Sequence, residues 1–196
     1  MNKPLCRALS AVYRGFCAVF HPVRIEGIER FPAEGAAILY ANHTNLQDPM
    51  VLRAFLRRPM FFMAKKELFE NALFSKVMTA VGAFPVARGE SDLAAVRTSL
   101  SVLKDGHVLG IFPEGHRYTD GQLHEAGNGT ALIALRSGAK VCPARILGSY
   151  RLFSRVTVRI SEPVDLSDLG KRLDPETLNR ATARMMEALK ALGNEK

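Results

Sequence analysis

Apolar positions recur along this chain with two periods. Short runs rich in β-branched and aromatic residues fit strands at residues 23–27, 36–41, 60–64, 83–87, 107–112, 140–147 and 155–161. Between them the apolar spacing lengthens to three and four residues, which predicts helices at 49–57, 71–81, 91–104 and 128–136. In the third of these Leu93, Val96, Leu100 and Leu103 share one face, and Asp105-Gly106 marks the stop. A last helix spans 174–192, with Asp174 as N-cap, Pro175 in the first turn and Gly193 as C-cap. Residues 161–173 are polar and read as a loop.

The segment 5–20 is a helix of another kind. Lys3, Arg7, Ser10 and Arg14 make a narrow cationic stripe beside a broad apolar arc that includes Leu9, Val12, Phe16, Val19 and Phe20. Such a helix either packs on the domain's own core or lies in a membrane interface with its bases at the headgroups. The lack of any acid in it favours the second reading, because a core helix more often mixes charge signs on its wet side.

Strands alternating with helices predict an α/β fold: a mixed, largely parallel central sheet of about seven strands flanked by helices. With 196 residues, 47% of them hydrophobic, the chain is long enough to bury one substantial core and short for two. The expected organisation is an amphipathic membrane-associating helix at 1–21 followed by one domain at 22–196.

Charge narrows the partners. Lys and Arg number 27 against 19 Asp and Glu, a formal charge of +8 that suits an anionic partner. The excess lies in the acid-free stretches 3–24, 53–66 and 136–159. Trp is absent and no run interleaves bases with aromatics, which argues against nucleic acid. Cys6, Cys17 and Cys142 lack metal-ligand or disulfide spacing and read as reduced, buried small apolar residues. No apolar run reaches the ~20 residues that span a bilayer, and no signal-peptide cleavage pattern is evident.

Three loops at strand ends carry candidate chemistry, as is common in α/β proteins. After the first buried run comes Asn42-His43-Thr44-Asn45-Leu46-Gln47-Asp48. An Asp that accepts from one imidazole nitrogen fixes the tautomer and leaves the other nitrogen to take a proton. Asp48-Pro49 also fits an N-cap with Pro at the first helical position, and both roles stay open. The second loop follows Phe84-Pro85-Val86-Ala87 and presents Arg88; the third, Phe112-Pro113-Glu114-Gly115-His116-Arg117, sets Glu114 and Arg117 around a glycine. Arginines on such loops suit phosphate, although a surface arginine is the plainer reading of either alone. There is no Gly-x-Ser-x-Gly elbow and no cysteine in a motif, so a base at His43 points to a substrate hydroxyl rather than a protein nucleophile.

Together these stretches resemble the glycerolipid acyltransferase family, typified by 1-acylglycerol-3-phosphate acyltransferases. Asn42 through Asp48 is similar to its His-x-x-x-x-Asp motif, Phe84–Arg88 to its second, Phe112–Arg117 to its third, and Val141-Cys142-Pro143-Ala144 to its apolar-Pro block. The resemblance implies His43 as general base and Asp48 as its partner, with Arg88, Glu114, Gly115 and Arg117 at the acceptor phosphate. It implies Pro143 in the acyl-donor segment, acyl-CoA or acyl-acyl carrier protein as co-substrate, and neither cofactor nor metal. The implied setting is peripheral, on the anionic cytoplasmic face of the cell membrane. Leu123-His124-Glu125-Ala126-Gly127 departs from the family's Phe-Lys-x-Gly segment, with an acid in the lysine's place. Lysophosphatidic acid is the first-choice acceptor and another lyso-lipid the alternative. A non-catalytic lipid-binding module and a thioester hydrolase are the rivals from other classes.

Overall fold

The short apolar runs form the strands β1 (Val23–Glu26), β2 (Ala37–Ala41), β3 (Met60–Lys65), β4 (Ala83–Val86), β5 (Val108–Ile111), β6 (Lys140–Gly148) and β7 (Val156–Ile160) in a computed structural model. The model describes residues 2–56, 58–87, 92–170 and 172–194. The helices are α1 (Lys3–Phe20), α2 (Asp48–Phe55), α3 (Ala72–Ala80), α4 (Leu93–Lys104), α5 (Gly129–Ser137) and α6 (Pro175–Asn194).

The strands pair into one sheet in the order β1-β7-β6-β2-β5-β3-β4. Every neighbouring pair is parallel except β6 with β7. A strand covered on both faces needs apolar residues at every position rather than at alternate ones. β2 meets that condition: all five of its residues are buried. Ile38 and Tyr40 face a core built with α4, α5 and α6, while Ala37, Leu39 and Ala41 face a second core that includes Val51, Leu52 and Leu56 at α2. The layers are therefore helix, sheet, helix, and the carboxyl end of β2 opens at mid-sheet.

α1 sits on the domain by its less apolar seam. Cys6 and Cys17 are buried and Tyr13 packs on the α2-side core, whereas Leu5, Leu9, Val12, Phe16 and Val19 are exposed, Val12 to 73%. Arg14 donates to the Ala54 carbonyl at 2.8 Å and holds the helix across α2. The apolar arc thus points away from the protein. No helix of the described residues is long and apolar enough to cross a membrane.

Three local expectations change. α6 runs through Gly193 to Asn194 instead of capping there. Its end is held by Arg159, which donates to the Leu192 carbonyl at 3.2 Å, so a cation takes the place of a glycine cap. α4 starts after Asp92, whose carboxylate accepts from Ala95 N, rather than at residue 91. The segment 161–173 is not all loop: Val164 bridges to Val141, and a short 3-10 turn at Ser167–Leu169 buries Leu169. Sparse apolar residues hid both contacts.

Gly110 in β5 is required by a close approach. A Cβ there would lie well inside contact distance of the Phe62 ring, which is itself buried. Gly110→Ala should therefore lower the free energy of unfolding by roughly 1–3 kcal/mol, the usual cost of overpacking a filled core. Urea denaturation checks this, and an unchanged midpoint would contradict the packing described.

Candidate active site

The site grows from the end of β2, where the ladder with β6 stops at Ala41 opposite Ala144. The next residue continues the ladder with its side chain. Asn42 Nδ2 donates to the Ile146 carbonyl at 3.0 Å, and Ile146 N donates to Asn42 Oδ1 at 2.7 Å. The backbone is thereby released to turn, and His43 leaves the sheet.

His43 is fixed by backbone and by ring. Its N–H donates to Glu114 Oε2 at 3.0 Å and its carbonyl accepts from Tyr118 N at 3.0 Å. Its ring stacks on Phe112 at 4.1 Å and 20°, and Phe112 lies parallel to Phe62 at 6.1 Å. A column of rings thus runs from Gly110 outward to the imidazole. His43 Nδ1 meets Asp48 Oδ2 at 2.8 Å; because a carboxylate only accepts, Nδ1 carries the hydrogen, leaving Nε2 as the open nitrogen.

Asp48 is fully buried, and a buried carboxylate is tolerable only with several donors around it. It has four. Oδ2 also accepts from the backbone N–H groups of Thr44 and Asn45, each at 2.7 Å, and Oδ1 accepts from the Tyr150 hydroxyl at 2.7 Å. The N-cap reading of Asp48 fails, because α2 has no side-chain cap and the carboxylate turns back onto the loop before it.

Glu114 is a clasp. While Oε2 holds His43 N, Oε1 accepts from His124 N at 3.1 Å, so both oxygens are spent on backbone amides. Gly115 follows at φ 69°, a left-handed conformation that glycine adopts without strain, and turns the loop outward. Arg117 is exposed on that loop and, with Thr44, Asn45, Leu46, His116 and Thr119, lines an open cleft of about 460 Å³ beside the His43 loop. Arg88 falls outside the described residues; β4 ends two residues before it, and Ala87 N donates to Asp92 Oδ2 at 2.7 Å. Pro143 is buried in β6 between β2 and the end of β7 and does not line the cleft; its missing N–H falls just where β7 stops. Glu125 is exposed.

Tyr150, Phe112 and Asn42 act on the His43 loop without having been assigned roles from sequence. Asn42 and Phe112 stood within the family motifs, Asn42 also as the polar residue that closes an apolar run, whereas Tyr150 had no signal. Burial drives the hydroxyls of Tyr13, Tyr40 and Tyr150 well above the ordinary tyrosine range, with smaller contributions from Cys17, Glu114 and Asp48 respectively. Tyr150 therefore remains a proton donor to Asp48. An imidazole so held, with Nε2 free of hydrogen bonds among the described residues and the residues just after it lining a cleft, can take a proton from a hydroxyl or from water.

A sequence profile described as Acyltransferase matches residues 22–147. The chain is 31% identical over 166 residues to the 1-acyl-sn-glycerol-3-phosphate acyltransferase of Streptococcus pneumoniae, covering 81% of this chain and 61% of that one. It is 28% identical over 179 residues to the enzyme of the same name from Bacillus subtilis, covering 88% and 89%. It superposes with a TM-score of 0.74 on the crystal structure of the 1-acyl-sn-glycerophosphate (LPA) acyltransferase PlsC from Thermotoga maritima, at 25% identity over 97% of this chain and 80% of that one. The chain thus spans about three fifths of the Streptococcus relative's length.

The raised tyrosines give a pH prediction. A group whose folded value is raised contributes stability that is present below its unfolded value and is lost as pH rises. Tyr13, Tyr40 and Tyr150 should therefore stay protonated at pH 10.0, the ordinary tyrosine value, and ionise only as the chain unfolds. Phenolate absorbance followed together with circular dichroism checks it; reversible ionisation of all four tyrosines in a folded chain would contradict the burial.

Proposed function

The chain belongs to the acyltransferase family, and on that premise we propose that it moves a fatty acyl group from an acyl thioester to the free hydroxyl of 1-acylglycerol-3-phosphate, giving phosphatidic acid. The observation that carries this reading is the His43–Asp48 pair, held by four donors on a buried carboxylate beside a cleft that contains Arg117.

In the proposed step His43 Nε2 removes the acceptor's hydroxyl proton as its oxygen attacks the thioester carbonyl. Asp48 stays ionised and stabilises the imidazolium. The tetrahedral intermediate collapses, the carbon–sulfur bond breaks, and the imidazolium returns its proton to the leaving thiolate. Arg117, and Arg88 beyond the described residues, bind the acceptor phosphate. Glu114 and Gly115 shape the loop around it. Pro143 lies in the donor segment, and the donor is acyl-CoA or acyl-acyl carrier protein.

The enzyme works as a peripheral protein on the cytoplasmic face of the membrane, where acceptor and product reside, with residues 1–21 as its anchor. The outward arc of α1 and its acid-free sequence support this. Glu125 on the exposed side of the acceptor loop supports a second acceptor class, a lyso-lipid with a less charged head.

His43→Ala should reduce kcat by roughly 10²–10⁴-fold while sparing vesicle binding; full turnover would eliminate the base. Tyr150→Phe should lower kcat about tenfold with little change in KM, since Tyr150 acts through Asp48. Arg117→Ala should raise KM for 1-acylglycerol-3-phosphate by roughly 10–100-fold and leave a phosphate-free monoacylglycerol unaffected. Mass spectrometry of a lyso-lipid panel with each donor separates the acceptor classes, and thiol release indifferent to acceptor would indicate a hydrolase.

A further inference from the structure

A turn that follows β6 closes on the C-terminal end of α1. Phe153 N donates to the Phe20 carbonyl at 2.7 Å, His21 Nδ1 meets the Arg151 carbonyl at 3.0 Å, and the Phe20 and Phe153 rings lie 6.5 Å apart. The turn and the helix end are therefore one surface. Leu152 and Phe153 stand out from it, 62% and 71% exposed. Among the described residues Phe153 is the one non-glycine with a positive φ, at 63°. A bulky ring in the left-handed region is strained, and nothing in the protein's own packing rewards it with burial.

This tip continues the outward arc of α1. Leu5, Leu9, Val12, Phe16 and Val19 run along the helix to its N-terminal end, where Asn2 N donates to the Ala80 carbonyl of α3 at 2.9 Å. α3 in turn exposes Leu73, Phe74 and Val77. The sequence around the tip carries charge of one sign: residues 149–159 contain no acid, nor do residues 3–24, and Arg151 and Arg155 are exposed. Along α1 and the tip the apolar surface is flanked by cations, with the exposed acids Glu67 and Glu70 lying beyond, before α3, and this is complementary to a bilayer interface with anionic headgroups.

We propose that Leu152 and Phe153 form a second membrane-inserting element, so that anionic lipid grips the protein at the C-terminal end of α1 and not by the helix alone. This rests on the membrane setting proposed above and gives it a geometry. Tyr150, the donor to Asp48, opens the same turn, so the docking tip is tied directly to the loop that carries His43.

The full-length chain tests this with two variants. It has no tryptophan, so Phe153→Trp introduces a single tryptophan that can be excited selectively over the tyrosines. Its emission should shift to the blue on vesicles containing phosphatidylglycerol and be quenched by brominated acyl chains. Leu152→Ser combined with Phe153→Gly removes both side chains while glycine relaxes the positive φ, so the fold is retained. Its partition into those vesicles should weaken about tenfold or more, with less effect on pure phosphatidylcholine. Turnover of a soluble short-chain 1-acylglycerol-3-phosphate should be unchanged, while turnover of acceptor embedded in vesicles falls. Wild-type partition by the double variant, or emission from the Phe153→Trp variant that neither shifts nor is quenched, would overturn the proposal and leave the face to a protein partner. If partition falls but the wild type fails to turn over the soluble acceptor, the docking surface stands and the proposed activity does not.

Discussion

The structure depends on one buried anion. Asp48 has no exposure to water, and an ionised carboxylate in that position is sustained only by the donors that converge on it. Those donors come from the loop after β2, from the imidazole and from the turn after β6. Satisfying the charge therefore folds the loop back on itself, orients the ring and draws two neighbouring strand ends together. The arrangement of the sheet makes this available, because β2 lies between β5 and β6 with all three running parallel. Their carboxyl ends emerge side by side, and the residues beyond them meet without long excursions.

What the sequence reveals and what it hides divide along distance. Strands and helices declared themselves through periods and caps that span a few residues: the buried run at β2, or Asp174, whose carboxylate accepts from Thr177 N. The pairing of His43 with Asp48 was legible for the same reason, being five residues long. Tyr150 reaches Asp48 across 102 positions and Glu114 reaches His43 N across 71, and neither contact leaves a local pattern. Family resemblance pointed to Glu114 but not to its task, since a motif marks a residue without saying which atoms it meets. Arg88, equally visible in sequence, falls outside the described residues.

The N-terminal helix shows a different limit. Its periodicity identifies an apolar arc but says nothing about what that arc will meet. The contacts decide it: Cys6, Tyr13 and Cys17 turn inward with Arg14 anchored over α2, and the larger apolar side chains turn out. A seam of small or partly polar residues is sufficient to hold the helix, because Tyr13 also donates to Gln47 on the loop that carries Asp48. The helix and the loop that carries His43 and Asp48 are thus joined directly.

Glu114 grips the amide of His43 with one oxygen and the amide of His124 with the other. Main-chain groups are common to nearly every residue type, so this clasp is indifferent to which side chains the second loop displays. The stretch from His116 to Glu125 can accumulate substitutions on its outer side, including the exchange of a cation for an acid, while the histidine stays where it is. The fold thereby uncouples the placement of the imidazole from the chemistry displayed on the outer face of the second loop.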